Sequence, residues 1–207
     1  MNPGAGEQAV RDVRKPTRRR GDALTTAIYR TVLDELARTS FEALSFDKIA
    51  VAAGTGKAAL YRRWSTPAQL VLAALTDPAA GFGETAIQPR TGTLRGDLVV
   101  LLEHLVRALD EPRGRALRPL IANRHRHPEL FEEVHRLVIR PHQEVLLEVL
   151  REGAARDEVA PEQVTARAAS VGPRLIVFEA WTRGQVDPAE VEAIVDEVLL
   201  PMVSPRR

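Results

Sequence analysis

The chain has no cysteine, only three lysines and two methionines, and nine aromatic residues among 207. Without cysteine there is no disulfide scaffold, no thiol redox chemistry, no cysteine nucleophile and no zinc site of the cysteine type. No apolar run approaches the roughly 18 residues that a membrane helix needs. The opening stretch MNPGAGEQAVRDVRKPTRRR lacks the apolar segment of a signal peptide. The expectation is a cytoplasmic protein that neither enters nor crosses a membrane. Alternation of apolar and polar residues is missing as well, so no strand is expected. There is no Gly-x-Ser-x-Gly elbow, no His-Glu-x-x-His helix and no downstream acid pair, which speaks against an enzyme and leaves no cofactor to assign.

What is present is a globular composition, 44% hydrophobic and 28% charged, with a length that allows one or two domains and a sizeable core. The net charge of +1 hides an asymmetry. Residues 1–64 carry 12 Lys+Arg against 7 Asp+Glu, whereas residues 65–207 carry 17 against 21. All three lysines (Lys15, Lys48, Lys57) and five of the nine aromatics (Tyr29, Phe41, Phe46, Tyr61, Trp64) lie in that first segment. A small basic, aromatic-rich head joined to a larger acidic, aliphatic body suits nucleic-acid binding, although an ordinary solvated face can carry the same charge.

Helical period sets the organisation. Leu24, Ile28, Val32 and Leu36 recur every four residues from a start near Asp22, predicting a first helix that ends near Ser40. Ser45 is a good N-cap for a second, short helix with Phe46, Ile49, Ala50 and Ala53, stopped by Gly54. A third short helix runs from Lys57 to Trp64 with Leu60 and Trp64 inward. Thr66 and Pro67 open a fourth that breaks at Asp77-Pro78. Residues 79–92 read as a loop. Further helices are expected at Leu94–Leu109, Arg113 to about Arg126, Pro128 to about Glu152 with a kink at Pro141, and Pro161 to about Arg183 with an interruption at Gly172-Pro173. The last opens on Asp187-Pro188-Ala189-Glu190. The fold class is all-α, about nine helices, divided into a basic flexible arm (1–20), a three-helix helix-turn-helix domain (21–67) and a helical effector-binding and dimerisation domain (68–207).

The stretch Ser45–Trp64 carries the chemistry. Two short helices about a glycine turn, ending in basic and aromatic residues, follow the grammar of a helix-turn-helix, whose second helix enters the major groove. Small Ala58 and Ala59 let the backbone approach the bases and can touch a thymine methyl, and Arg62 can bond both acceptors of a guanine. Lys57, Tyr61, Arg63 and the Ser45 hydroxyl suit phosphate oxygens, which fix register without reading sequence. Thr55 and Gly56 complete the candidate set in the turn. Periodicity alone also allows a structural hairpin of a kind common in all-α proteins.

The run ALSFDKIAVAAGTGKAALYRRWSTPAQLVLAAL resembles the DNA-binding signature of TetR-family transcriptional regulators. Ile49, Ala50, Ala53, Gly54, Leu60, Tyr61, Arg63 and Trp64 meet its pattern, and the resemblance covers Leu24 to Leu70 closely and 93–203 only loosely. It implies a double-stranded DNA operator of near-palindromic sequence, a homodimer built through about 161–183 and 188–203, and a small-molecule effector that releases a repressor. One departure is Pro67, where the family often places a phosphate-contacting lysine. The arm Arg14-Lys15-Pro16-Thr17-Arg18-Arg19-Arg20 can compensate by lying along the minor groove, or can be a solubilising tail. The competing reading is a helical interaction or architectural protein that binds DNA non-specifically or not at all.

Gly54-Thr55-Gly56-Lys57 imitates the end of a phosphate loop, but Val51 and Ala58 stand where a glycine and a Ser or Thr are required, and no strand precedes it. His104, His125, His127, His135 and His142 read as ordinary polar positions rather than metal ligands, since no carboxylates or cysteines complete a set. The body's few aromatics predict a mostly aliphatic effector cavity suited to a small lipophilic molecule. Asn123, Arg174, Phe178, Glu179 and Trp181 are its candidate contacts.

Overall fold

The computed structural model describes residues 15–83 and 87–205, the side chains of 15–20 excepted. Nine helices and no strand make up the described residues: α1 (Lys15–Arg38), α2 (Phe46–Ala52), α3 (Lys57–Tyr61), α4 (Pro67–Leu75), α5 (Leu94–Asp110), α6 (Pro112–Ala122), α7 (128–155), α8 (Ala166–Arg183) and α9 (188–203). No helix among them is long and apolar enough to cross a membrane. The caps follow local chemistry. Ser45, Thr66, Thr93 and Thr165 accept the N–H three residues on, and Asp187 that of Ala189, satisfying donors that the first turn leaves open.

Several boundaries differ from the sequence expectation. α1 begins at Lys15 rather than near Asp22, so part of the expected flexible arm has helical backbone. The arm's first fourteen residues lie outside the described residues, and with them the basic side chains of Lys15 to Arg20. α3 stops at Tyr61 rather than Trp64, because the N–H groups of Arg63 and Trp64 both bond the Leu60 carbonyl at 2.9 Å and tighten the chain into a turn. α8 runs unbroken through Gly172-Pro173. Gly172 serves packing instead: a Cβ there would lie 2.9 Å from Leu199 and 3.3 Å from Leu102.

The expected kink at Pro141 takes the form of a π turn, His135–Ile139, and a second π turn, Ile194–Leu199, precedes Pro201 in α9. In each case the proline withholds the N–H that the carbonyl four residues earlier would accept, and its ring crowds that carbonyl. Widening the turn relieves the clash.

Two apolar cores hold the molecule. The first joins Ile28, Leu33 and Leu36 of α1 to Ile49, Leu60 and Trp64 of the head, and continues through Leu70 and Leu75 of α4 to Leu117 and Leu120 of α6 and Val134 of α7. The second joins Leu98 and Leu102 of α5 to Leu146 and Val149 of α7, Ile176 of α8, and Val195 and Leu199 of α9. α1 therefore packs on both α4 and α6, so the head shares a core with the body.

Candidate nucleic-acid interface and cavity

The turn between α2 and α3 is set by Gly54, whose φ of +62° lies in the region that disfavours a Cβ. Its N–H bonds the Val51 carbonyl at 3.2 Å while the Thr55 N–H bonds that of Ala50 at 2.9 Å, a Schellman closure of α2. Gly56 then starts α3 in extended conformation. Leu60 is the only buried residue within α3, and Trp64 just beyond it is also buried. These two pin the helix to the head, and the opposite face is left outward.

On that outward face Gly56, Lys57, Ala58, Tyr61, Arg62 and Arg63 are exposed, and Thr55 and Ala59 are half-buried. Tyr61, 55% exposed, stands edge-on to Phe46 with centroids 4.7 Å apart. Arg63 donates to the Thr25 hydroxyl at 2.5 Å and lies 5.9 Å over the Trp64 ring, so α1 fixes its direction. The Ser45 hydroxyl accepts from the Lys48 N–H at 3.3 Å and keeps its own proton to donate. Eight of the nine residues named from sequence thus lie on or beside one short helix, and the ninth, Ser45, caps α2. Sequence reasoning did not single out Val51, 84% exposed on α2.

One contact was not legible. Lys57 pairs with Asp47 at 2.7 Å, and that hydrogen-bonded carboxylate holds the ammonium above its usual range. That carboxylate would compete with any phosphate brought to Lys57. Asp47→Asn should therefore strengthen binding to any duplex severalfold. It should also steepen the dependence of log K on log salt by about 0.9 per subunit, one phosphate's worth. An unchanged slope in a salt titration would show that Lys57 does not engage phosphate.

In the body, α5, α6, α7 and α8 surround a cavity of about 420 Å³. Of the residues proposed from sequence, Arg174, Phe178 and Trp181 line it; Asn123 and Glu179 do not. Asn123 turns its amide back to the Pro119 carbonyl at 3.0 Å, at the end of α6, and Glu179 pairs with Arg183 at 3.0 Å. Polar groups missed at first are Arg113, His104, His142, Gln143 and Ser170. Their spacing matches the apolar stripes beside them, so period alone does not separate a core position from a cavity wall. Phe82, from the loop before α5, also lines the cavity. It packs edge-on against His142 at 5.7 Å and beneath Arg113 at 5.3 Å.

A glycine-turned helix pair whose second member is pinned by two residues and otherwise exposed is the build of a helix-turn-helix DNA-binding head. The comparisons agree. Residues 28–74 match the family described as "Bacterial regulatory proteins, tetR family", and 88–198 match "Tetracyclin repressor-like, C-terminal domain". The chain belongs to the TetR family and is a helix-turn-helix transcriptional regulator. It is 27% identical over 202 residues to the DNA-binding transcriptional repressor TetR of Mycobacteroides abscessus, covering 90% of this chain and 97% of the relative. It is 26% identical over 180 residues to an uncharacterized HTH-type transcriptional regulator of Mycobacterium bovis, covering 86% and 87%. Among solved structures, the Flavonoid-responsive Regulator FrrA shares the fold with a TM-score of 0.65 at 20% identity, over 90% of this chain and 100% of that one.

Proposed function

We propose that this regulator is a repressor that binds a near-palindromic operator as a homodimer and is released when a small lipophilic molecule occupies the cavity. The observation that carries the reading is the position of α6. Leu117 lies both in the core shared with α1 and on the cavity wall, where Ile121 joins it. A ligand that displaces α6 bears directly on the helix that holds the head. Dimerisation through α8 and α9 is supported by exposed apolar side chains there, Phe178 at 62% and Val198 at 39%, which a second copy would cover. Two recognition helices then meet successive major grooves, about 34–36 Å apart, and ligand favours a spacing that loses that register. A cytoplasmic address follows from the DNA partner.

Within the head, Arg62 and Ala58 read base edges, with Ala59 allowing close approach, while Lys57, Tyr61, Arg63 and Ser45 hold phosphate beside Thr55 and Gly56. Arg62→Ala is expected to cost about 1–3 kcal/mol and to relax base preference at one operator position, whereas Arg63→Ala weakens all sequences alike. A base-substitution panel on a selected operator checks this, and the opposite pattern exchanges the two roles. The effector step is tested by measuring operator affinity with and without a molecule already proven to bind the cavity; unchanged affinity rejects the coupling.

A further inference from the structure

We infer that the cavity selects a lipophilic anion, an alkyl or aryl carboxylate or sulfonate, with Arg174 as its charge anchor. This rests on the reading of the cavity as the effector site. The observation is the sign of its wall. Residues 65–207 hold more acids than bases, yet among the described residues the polar wall consists of His104, Arg113, His142, Gln143, Ser170 and Arg174, with no carboxylate.

The basic groups are not equivalent. Arg113 pairs with Glu111 at 2.7 Å and donates to the Gly81 carbonyl at 2.6 Å, so most of its charge is spent on the protein. The His142 Nδ1 donates to the Val138 carbonyl at 2.7 Å, which fixes the ring as part of α7. Arg174, on α8, is exposed in the single subunit, so recruiting its guanidinium requires less desolvation than recruiting the tied-down Arg113. It sits one helical turn from buried Ser170, whose hydroxyl donates to the Arg167 carbonyl at 2.8 Å. A ligand with an apolar body and an anionic end would place the body among the leucines and the end against Arg174. A cationic ligand would meet like charge or neutral polar groups, and no carboxylate, on the described walls.

The test compares anilinonaphthalene sulfonate with its uncharged parent, N-phenylnaphthylamine, by fluorescence titration of the full chain. The two share the aromatic body and differ in charge. Both should bind, and Val177→Trp, which fills the cavity, should expel both. Arg174→Gln should weaken the sulfonate about tenfold, the scale of one charge-assisted hydrogen bond, and leave the neutral probe within about twofold. Arg174→Glu should weaken the sulfonate further. Arg174 being exposed, neither change threatens folding. Equal losses for the two probes, or none for the sulfonate, overturn the anion selectivity and leave a lipophilic cavity. If neither probe binds the unmodified protein, or both survive Val177→Trp, the effector-cavity reading falls too.

Discussion

Leu60→Ala is expected to destabilise the head by about 4 kcal/mol and to abolish operator binding. Leu60 is fully buried, and truncating such a leucine loses the transfer energy of the removed carbons and leaves a cavity, costing about 2–5 kcal/mol. The upper half of that range applies because the site collapses poorly. α3 spans only Lys57–Tyr61 and has no other buried residue, so no neighbour on the same helix can move in. Trp64 follows it and is held edge-on by Tyr29 at 5.8 Å. Once Leu60 is gone, the outward side chains of α3 lose their fixed direction while α5, α8 and α9 keep their own core. Urea unfolding should show an early transition assigned to the head, with the body's transition retained. Wild-type DNA affinity in the variant would mean that α3 is held by something other than Leu60.

Asp97→Ala should cost about 3 kcal/mol in the body. Asp97 is 1% exposed. It accepts from both the backbone N–H and the hydroxyl of Thr91 at 2.8 Å, and pairs with Arg156 at 3.3 Å. Removing one member of a buried ion pair leaves the other uncompensated, which typically costs about 3–5 kcal/mol. Arg156 is one-third exposed and also pairs with Glu158, which places the loss at the lower end. The same cluster makes the fold acid-sensitive. Burial pushes the Glu158 carboxyl up, but hydrogen bonds from Arg156 and from the Leu94 N–H outweigh it and leave the group below its ordinary 4.5. That stabilisation is complete above the ordinary value and disappears as pH falls through the lowered one. Thermal melts of the wild type and Glu158→Gln across that range should converge at the acid end. A loss under 1 kcal/mol for Asp97→Ala near neutrality would refute its assignment.

The helix-turn-helix was readable because its signals are local. Ser45 caps α2, Gly54 ends it in the one conformation that disfavours a side chain, and Leu60 and Trp64 fall one turn apart, so the outward set follows by subtraction. The cavity was only half readable. Phe178 and Trp181 stand out by type in an aromatic-poor body and Arg174 was one polar candidate among three, whereas His104 and His142 looked like ordinary polar positions. A helical stripe shows which face turns inward but not whether a neighbour fills the space it faces. The π turns are of the same kind: Pro141 announced a disturbance, and the packing around it decided that the helix would widen and continue.

Sequence alone determined that the chain is helical, that a basic head precedes an acidic body, and where most helices begin, because capping, period and proline chemistry act within a few residues. Tertiary structure alone decided that Lys57 is paired with Asp47, that Leu117 belongs to both the head's core and the cavity, and that a body rich in acids lines its cavity with bases. Those outcomes depend on side chains tens of residues apart meeting in space, and no short-range rule ranks the partners they will find.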